Sequence, residues 1–290
     1  MTGRHGIPAE PRAWAERLLG PLDSARDASR ARPGSRIWQL TRSDGARFFL
    51  KLSPSAVSFT RETFAYRHAV PAFGGGHAPQ LVESDAGLLA LLLTALPGTP
   101  VSRLRLTSAE HRTAHRQAGS LLARLHEVDQ WTSETYAEAK ASLGAAADGA
   151  ERHLGRGGGL LSAQEQKLVR DSAEQLRLAG PVPFAFIHGD ARPHNLLRSG
   201  RHTALIDFER SRFAAAVQDF TAMTCGTWAG HPDRRAAFFT GYGRQLTAEE
   251  RRVLRYLAAL DAASRLAWGP PDAARGRRTL ERLASGDFTC

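Results

Sequence analysis

The chain has 290 residues, 42% hydrophobic and 23% charged, an ordinary globular make-up that is long enough to bury a core without staples. Its two cysteines, Cys225 and Cys290, exclude a disulfide framework and a cysteine-rich zinc site as organising devices. The formal net charge of +10 comes mostly from arginines spread among Asp and Glu without a run of like charge, so compositional bias explains it and no nucleic-acid partner is expected.

Residues 11–20 read as a short amphipathic helix closed by Gly20. Residues 36–42 and 46–52 read as strands, with Ser43-Asp44-Gly45 between them as a hairpin turn. Lys51 ends the second of these apolar strands. It is one of only three lysines, the others being Lys140 and Lys167, and a lysine among so many arginines marks a place that needs a compact point charge. Lys140 and Lys167 lie in polar helical sequence and read as solvated. A helix follows over residues 58–70, with Phe59, Phe64 and Ala65 apolar and Glu62 in its second turn. Beyond the Gly74-Gly75-Gly76 loop, residues 80–84 and 88–93 form a second strand pair, and Pro97-Gly98 makes a turn. The apolar run from Leu88 to Leu96 is about half the ~20 residues of a membrane span, and the N-terminal sequence has no apolar signal region. A cytoplasmic protein without a membrane partner is expected.

Thr107 to Glu110 opens a long helix reaching about Glu127, with a capping-box start and a stripe of Ala118, Leu121, Leu122 and Leu125. Helices over 134–154 and 162–178 flank a loop at 155–159. Residues 184–188, 195–198 and 204–207 read as short strands, and from Phe213 the chain reads as helical nearly to its end. The order is a strand-rich lobe, a Pro-Gly linker, and a larger helical lobe that carries a strand–loop–strand insert.

That insert carries the chemistry. His188-Gly189-Asp190 leaves an apolar strand, Asn195 follows in the loop, and Asp207 ends the next apolar strand. Asn195 and Asp207 are hard oxygen ligands suited to Mg²⁺. Asp190 lies outside that pair and is placed to accept a proton. Each residue alone would serve equally as a loop hydrogen-bonding group; the three together point to a site.

The His-Gly-Asp-x-x-x-x-Asn loop at 188–195 and the Ile-Asp-Phe segment at 206–208 resemble the aminoglycoside phosphotransferase family, and the resemblance extends over nearly the whole chain. It implies an α+β, bilobal protein-kinase-like fold, with a small antiparallel-sheet N-terminal lobe and hinge over 1–96 and a larger, mainly helical C-terminal lobe over 97–290. It implies that Lys51 holds the nucleotide α/β-phosphates and that Glu62 orients it. Asp190 becomes the catalytic base or acceptor-orienting group, and Asn195 and Asp207 the Mg²⁺ ligands. Residues 92–96 become the hinge, whose backbone at Thr94 and Leu96 would bond the purine of ATP or GTP. The phosphate-covering loop should lie near residues 29–35, where only Gly34 and Ser35 stand in place of a glycine-rich pattern; Ser35 is its nucleotide-binding candidate. Arg192 either neutralises the transferring phosphoryl group or is a solvated loop arginine.

Gly189 in place of the kinase arginine, no Ala-Pro-Glu and a short stretch after Asp207 argue against a phospho-regulated protein kinase. His111 and His115, four apart, read as a solvated face rather than metal ligands. His126 reads as structural, Trp228, Trp268 and Tyr242 as core, and Asp219 as the backbone anchor of the catalytic loop. The implied activity is Mg²⁺-dependent phosphoryl transfer to a hydroxyl of a small molecule by a monomer or weak homodimer. An antibiotic comes first as acceptor (aminoglycoside, nucleoside, peptide or macrolide), with a metabolic alcohol such as choline, homoserine or a sugar as the alternative. Glu209, Asp219, Asp233 and Asp261 are the carboxylates available to a polycationic acceptor. A catalytically dead binding module is the rival reading, disfavoured because Lys51, Asp190, Asn195 and Asp207 are all present.

Overall fold

The computed structural model describes residues 6–29, 35–270 and 272–288. Helix α1 (Ala9–Leu19) stops where Gly20 takes a positive φ of 80°. It buries Trp14, Ala15 and Leu19 on one face of a five-stranded antiparallel sheet, against Trp38, Leu40, Leu50, Leu52, Ala90 and Leu92. Those residues alternate along β2 (Arg36–Arg42), β3 (Arg47–Leu52) and β5 (Ala90–Thr94), as the two-residue period of a strand requires. The sheet order is β1-β2-β3-β5-β4, with β1 at Leu22–Asp27 and β4 at Leu81–Asp85. Strand β1 has no apolar alternation to announce it. It is an exposed edge whose conformation is set by its ladder with β2.

The opposite face of the sheet, with Leu91 and Leu93, takes helix α2 (Ala56–Phe64) and its continuation. Ser55 caps α2, its Oγ accepting the Ser58 N–H at 3.2 Å, so the helix begins before the expected residue 58. Regular α-geometry ends at Phe64 and passes into a π-helical turn at Ala65–Ala69 and a 3₁₀ turn at Val70–Phe73.

The short strand β6 (Thr99–Pro100) leads into the helical lobe and pairs with β8 (Leu196–Ser199), which pairs in turn with β9 (His202–Leu205). Helix α3 (Ser108–His126) carries the expected capping box between Thr107 and Glu110. The single helix expected over 134–154 is two, α4 (Ser133–Asp148) and α5 (Ala150–Gly157), divided at Gly149; α5 also occupies the start of the expected 155–159 loop. Helix α6 (Ala163–Arg177) follows, capped by Ser162. Strand β7 (Phe184–Ile187) pairs with β10 (Arg212–Ala215), where helix was expected from Phe213. A short buried apolar run does not distinguish strand from helix by itself, and here the free edge of β7 decides it.

The remaining helices are α7 (Gln218–Ala222), α8 (Pro232–Tyr242), α9 (Ala248–Leu266) and α10 (Asp272–Ser285). Helices α3 and α8 approach closely at two glycines. A Cβ on Gly241 would lie 1.8 Å from the Arg116 carbonyl oxygen, and one on Gly119 would lie 2.1 Å from that of Phe238. Trp228 and Tyr242 are buried as expected, whereas Trp268 is 57% exposed rather than part of the core. Among the described residues, no helix is long and apolar enough to cross a membrane.

Candidate active site

Strand β7 delivers His188 and Gly189 to a buried carboxylate. The two main-chain N–H groups donate to Asp219 at 2.8 and 2.7 Å. His126 Nε2 lies 3.0 Å from the same carboxylate, and its Nδ1 lies 2.7 Å from the Tyr242 hydroxyl. Burial would raise the Asp219 pKa, but the His126 contact and the His188 N–H hold it below the ordinary carboxylate range. Asp219 and His126 therefore have the structural roles expected of them. Gly189 is required twice over: its φ is 76°, and a Cβ there would lie 2.5 Å from the Arg210 carbonyl oxygen.

The loop then presents Asp190. Arg192 Nε lies 2.8 Å from its Oδ1, and His194 Nε2 lies 3.3 Å from Oδ2. Asn195 Nδ2 donates to the Asp190 carbonyl at 3.0 Å and to Oδ2 at 3.2 Å. Burial alone would raise the carboxyl pKa, but His194, Arg192 and Arg210 bring it down to about 2. Asp190 is thus an anion throughout the neutral range. His194 was not singled out in the sequence; its only signal is its place four residues beyond Asp190.

The second half of the site centres on Lys51, which β3 carries to a position only 3% exposed. Its Nζ lies 2.8 Å from Glu62, 2.6 Å from Asp207 and 3.2 Å from Glu209. Burial lowers the Lys51 pKa, and the three carboxylates more than reverse this, holding it well above its ordinary value. The same arithmetic works against the carboxylates. Glu62 is pushed up to about 7 by burial, with Asp207 and Glu209 adding to the effect and Lys51 opposing it. One ammonium cannot neutralise three carboxylates.

Glu62, Asp207 and Glu209 bring oxygen atoms within 4.8 Å of one another. Hard oxygen donors with uncompensated negative charge fit a divalent cation such as Mg²⁺, and Asp207 and Glu209 are the partly exposed members of the set. Glu209, read from sequence as an acceptor-side carboxylate, belongs here. It also accepts a hydrogen bond from Ser35 Oγ. Asp207 holds a positive φ of 72°. Asn195 and Asp207 sit just outside β8 and β9, brought side by side by the Ile206 N–H donating to the Asn195 carbonyl at 3.0 Å.

At the expected hinge, the Thr94 N–H donates to the Gln80 carbonyl at 2.9 Å, and the Ala95 N–H to that of Arg47 at 3.1 Å. The N–H of Thr94 is therefore committed to the ladder, and Leu96 is the first residue beyond it. Gly34 of the expected phosphate-covering loop lies outside the described residues. The His111–His115 pair is not a solvated face: His115 is fully buried, its Nδ1 lies 2.7 Å from the His111 carbonyl, and burial takes its pKa down to about 4. Of the expected acceptor carboxylates, Asp219 is taken up by the main chain of His188 and Gly189, and Asp233 lies 3.5 Å from Arg112 on the surface.

The crowding around Lys51 makes its exchange for arginine non-conservative. A planar guanidinium cannot place one atom among three carboxylates. Lys51→Arg is expected to lower kcat/KM roughly 100-fold, about 2.7 kcal/mol of transition-state stabilisation, with a raised KM for the nucleotide. Steady-state kinetics in both nucleotide and acceptor will show this; unchanged constants would leave Lys51 a structural residue only.

The sequence pattern of the phosphotransferase enzyme family (APH) matches residues 34–257. Among solved structures, the chain is similar to the apo form of a thermostable mutant of aminoglycoside phosphotransferase APH(4)-Ia, at 14% identity and a TM-score of 0.68 over 96% of this chain and 99% of that one. It is similar to macrolide 2'-phosphotransferase MphH from Brachybacterium faecium, at 18% identity and a TM-score of 0.61 over 96% and 97%. It is also similar to a choline/ethanolamine kinase family protein from Mesorhizobium loti, at 17% identity and a TM-score of 0.65 over 96% and 95%. No curated protein sequence matches it. At such identities the structures share the fold, an α+β kinase-like arrangement of a small antiparallel-sheet lobe and a helical lobe, as the resemblance implied. With the family pattern spanning most of its length, the chain belongs to the phosphotransferase enzyme family.

Proposed function

We propose that this protein transfers the γ-phosphate of ATP or GTP to a hydroxyl group of a small molecule in a Mg²⁺-dependent reaction. The observation that carries the reading is the buried Lys51 shared by Glu62, Asp207 and Glu209, with the anionic Asp190 held on an adjacent loop. Residues 1–96 form the nucleotide-binding lobe and hinge, and residues 97–290 the catalytic and acceptor-binding lobe. Lys51, oriented by Glu62, binds the α/β-phosphates; Ser35 borders the phosphates; the Thr94 carbonyl and the Leu96 main chain receive the purine. Asn195 and Asp207 would hold Mg²⁺, which neutralises phosphate charge when bound.

Asp190 accepts a hydrogen bond from the acceptor hydroxyl and aims its oxygen at the γ-phosphorus. As the new O–P bond forms and the bond to the β-phosphate oxygen breaks, the hydroxyl proton passes to Asp190 and ADP or GDP leaves. A carboxylate with a pKa near 2 is a weak base. Its main contribution is orientation and charge, with proton uptake late, as suits a loose phosphoryl-transfer transition state. Arg192 lies beside this path and offsets phosphoryl charge.

The acceptor class we favour is an antibiotic, in a cytoplasmic monomer or weak homodimer. Structural neighbours support it: one was solved with hygromycin B and ADP and another with streptomycin and ATP. A metabolic alcohol is the second reading, supported by the choline/ethanolamine kinase family neighbour. The test is Asp207→Ala. It removes a charged ligand and is expected to abolish the Mg²⁺ dependence of nucleotide binding, read by titrating Mg²⁺ against nucleotide affinity in both proteins. Identical metal dependence would sink the assignment.

A further inference from the structure

The surroundings of Asp190 are rich in guanidinium groups. Arg192 lies 2.8 Å from Asp190, and its Nη2 lies 3.9 Å from Asp261 on α9. Asp261 is already engaged. Arg265, one helical turn on and buried, reaches its two oxygens at 2.5 and 3.2 Å and also bonds Asp272 at 3.0 Å. Arg210 is exposed and within electrostatic reach of Asp190. Beyond Asp261, helix α5 brings Arg152 and Arg156, both exposed, to the His153 ring that also senses Asp261. Four guanidinium groups, those of Arg192, Arg210, Arg265 and, 3.9 Å from Asp272, Arg275, thus stand around three carboxylates, Asp190, Asp261 and Asp272. His194 adds a further ring nitrogen at Asp190. An acceptor with several ammonium groups needs uncommitted carboxylates, and here each carboxylate already has an arginine. Like charges brought together in this way disfavour such an acceptor more than any remaining contact favours it.

We infer that this face of the catalytic loop selects a neutral or anionic hydroxyl acceptor and rejects polycations, with Arg192 as a specificity-determining residue and Arg265 as a positioning residue that keeps Asp261 from receiving an amine. The inference rests on the phosphotransferase reading above and narrows its acceptor.

The probe is neomycin, a polycation, offered to the full chain with Mg²⁺ and nucleotide. The wild type is expected to give no phosphorylated neomycin by mass spectrometry and to bind it with a Kd above about 1 mM. Arg192→Gln removes the one guanidinium that Asp190 and Asp261 share and is expected to tighten neomycin binding roughly tenfold, an effect that fades at high salt. Arg210→Gln, at an exposed position, should shift affinity in the same direction without a burden on folding. Neomycin phosphorylation by the wild type, or unchanged neomycin affinity in both variants, would overturn the inference. Binding of ATP with Mg²⁺ to the same wild-type preparation, compared with Asp207→Ala, reports separately on the phosphotransferase reading. Its absence sinks that reading, whereas the neomycin results bear only on the acceptor.

Discussion

Asp190→Ala is expected to lower kcat by about 10²–10⁴-fold and to leave nucleotide affinity nearly unchanged. The carboxylate sits on the loop after β7, and in the function proposed above it meets the acceptor hydroxyl and not the phosphates. The substitution should be tolerated by the fold, because Asn195 also bonds the main-chain carbonyl of residue 190, which survives it. Asp190→Asn separates charge from shape and should lose activity on the same scale. Because the carboxyl pKa is held at about 2, this group contributes no acid limb to the pH profile of kcat above about pH 4. Release of ADP or GDP measured beside nucleotide binding by calorimetry checks all of this. Near-full turnover in Asp190→Ala would remove the residue from the reaction.

Asp219→Ala should instead cost stability, on the order of 3–5 kcal/mol, because it leaves buried partners of a charge uncompensated. Two main-chain N–H groups, of His188 and Gly189, and one ring nitrogen of His126 lose their acceptor in a largely buried place. The melting temperature should fall by on the order of 10 °C. The sign with pH follows from the depressed carboxyl. The stabilisation is present above the unfolded pKa of about 3.9 and is lost as the pH falls through the lower folded value. Thermal unfolding of wild type and variant across acidic pH tests both statements; a melting temperature within a degree of wild type would mean that the loop is anchored elsewhere.

The parts of this protein legible in its sequence are those written in local chemistry. The Asp-Gly hairpin between β2 and β3, the Thr107–Glu110 capping box and Gly20 fix their elements with neighbours a few residues away. The site was legible where residue type and spacing carry the role: Lys51 and Glu62 meet on a strand and the next helix, and Asp219 reaches the loop. What escaped depends on partners distant in the chain. Strand β1 exists because β2 offers it an edge, and β10 because β7 does. Glu209 reads as an acidic loop residue until the fold carries it to Lys51, across 158 positions of sequence. His115 looks solvated among polar neighbours in sequence, yet the face of α3 that holds it is buried. Trp268 erred the other way, since a large ring suggests a core position and the turn between α9 and α10 leaves it in solvent.

The backbone of Asp207 carries one more implication. A non-glycine residue at a φ of 72° sits where side chains of L-residues are strained, at a cost of order 1–3 kcal/mol, and glycine would occupy the same turn freely. The fold and the chemistry therefore ask for different residues at one position: the turn favours glycine, and the ion cluster around Lys51 needs the carboxylate. Glycine there would relieve the backbone and remove the 2.6 Å contact to Lys51. On the function proposed above, a chain with glycine at this position would keep the scaffold and lose the reaction.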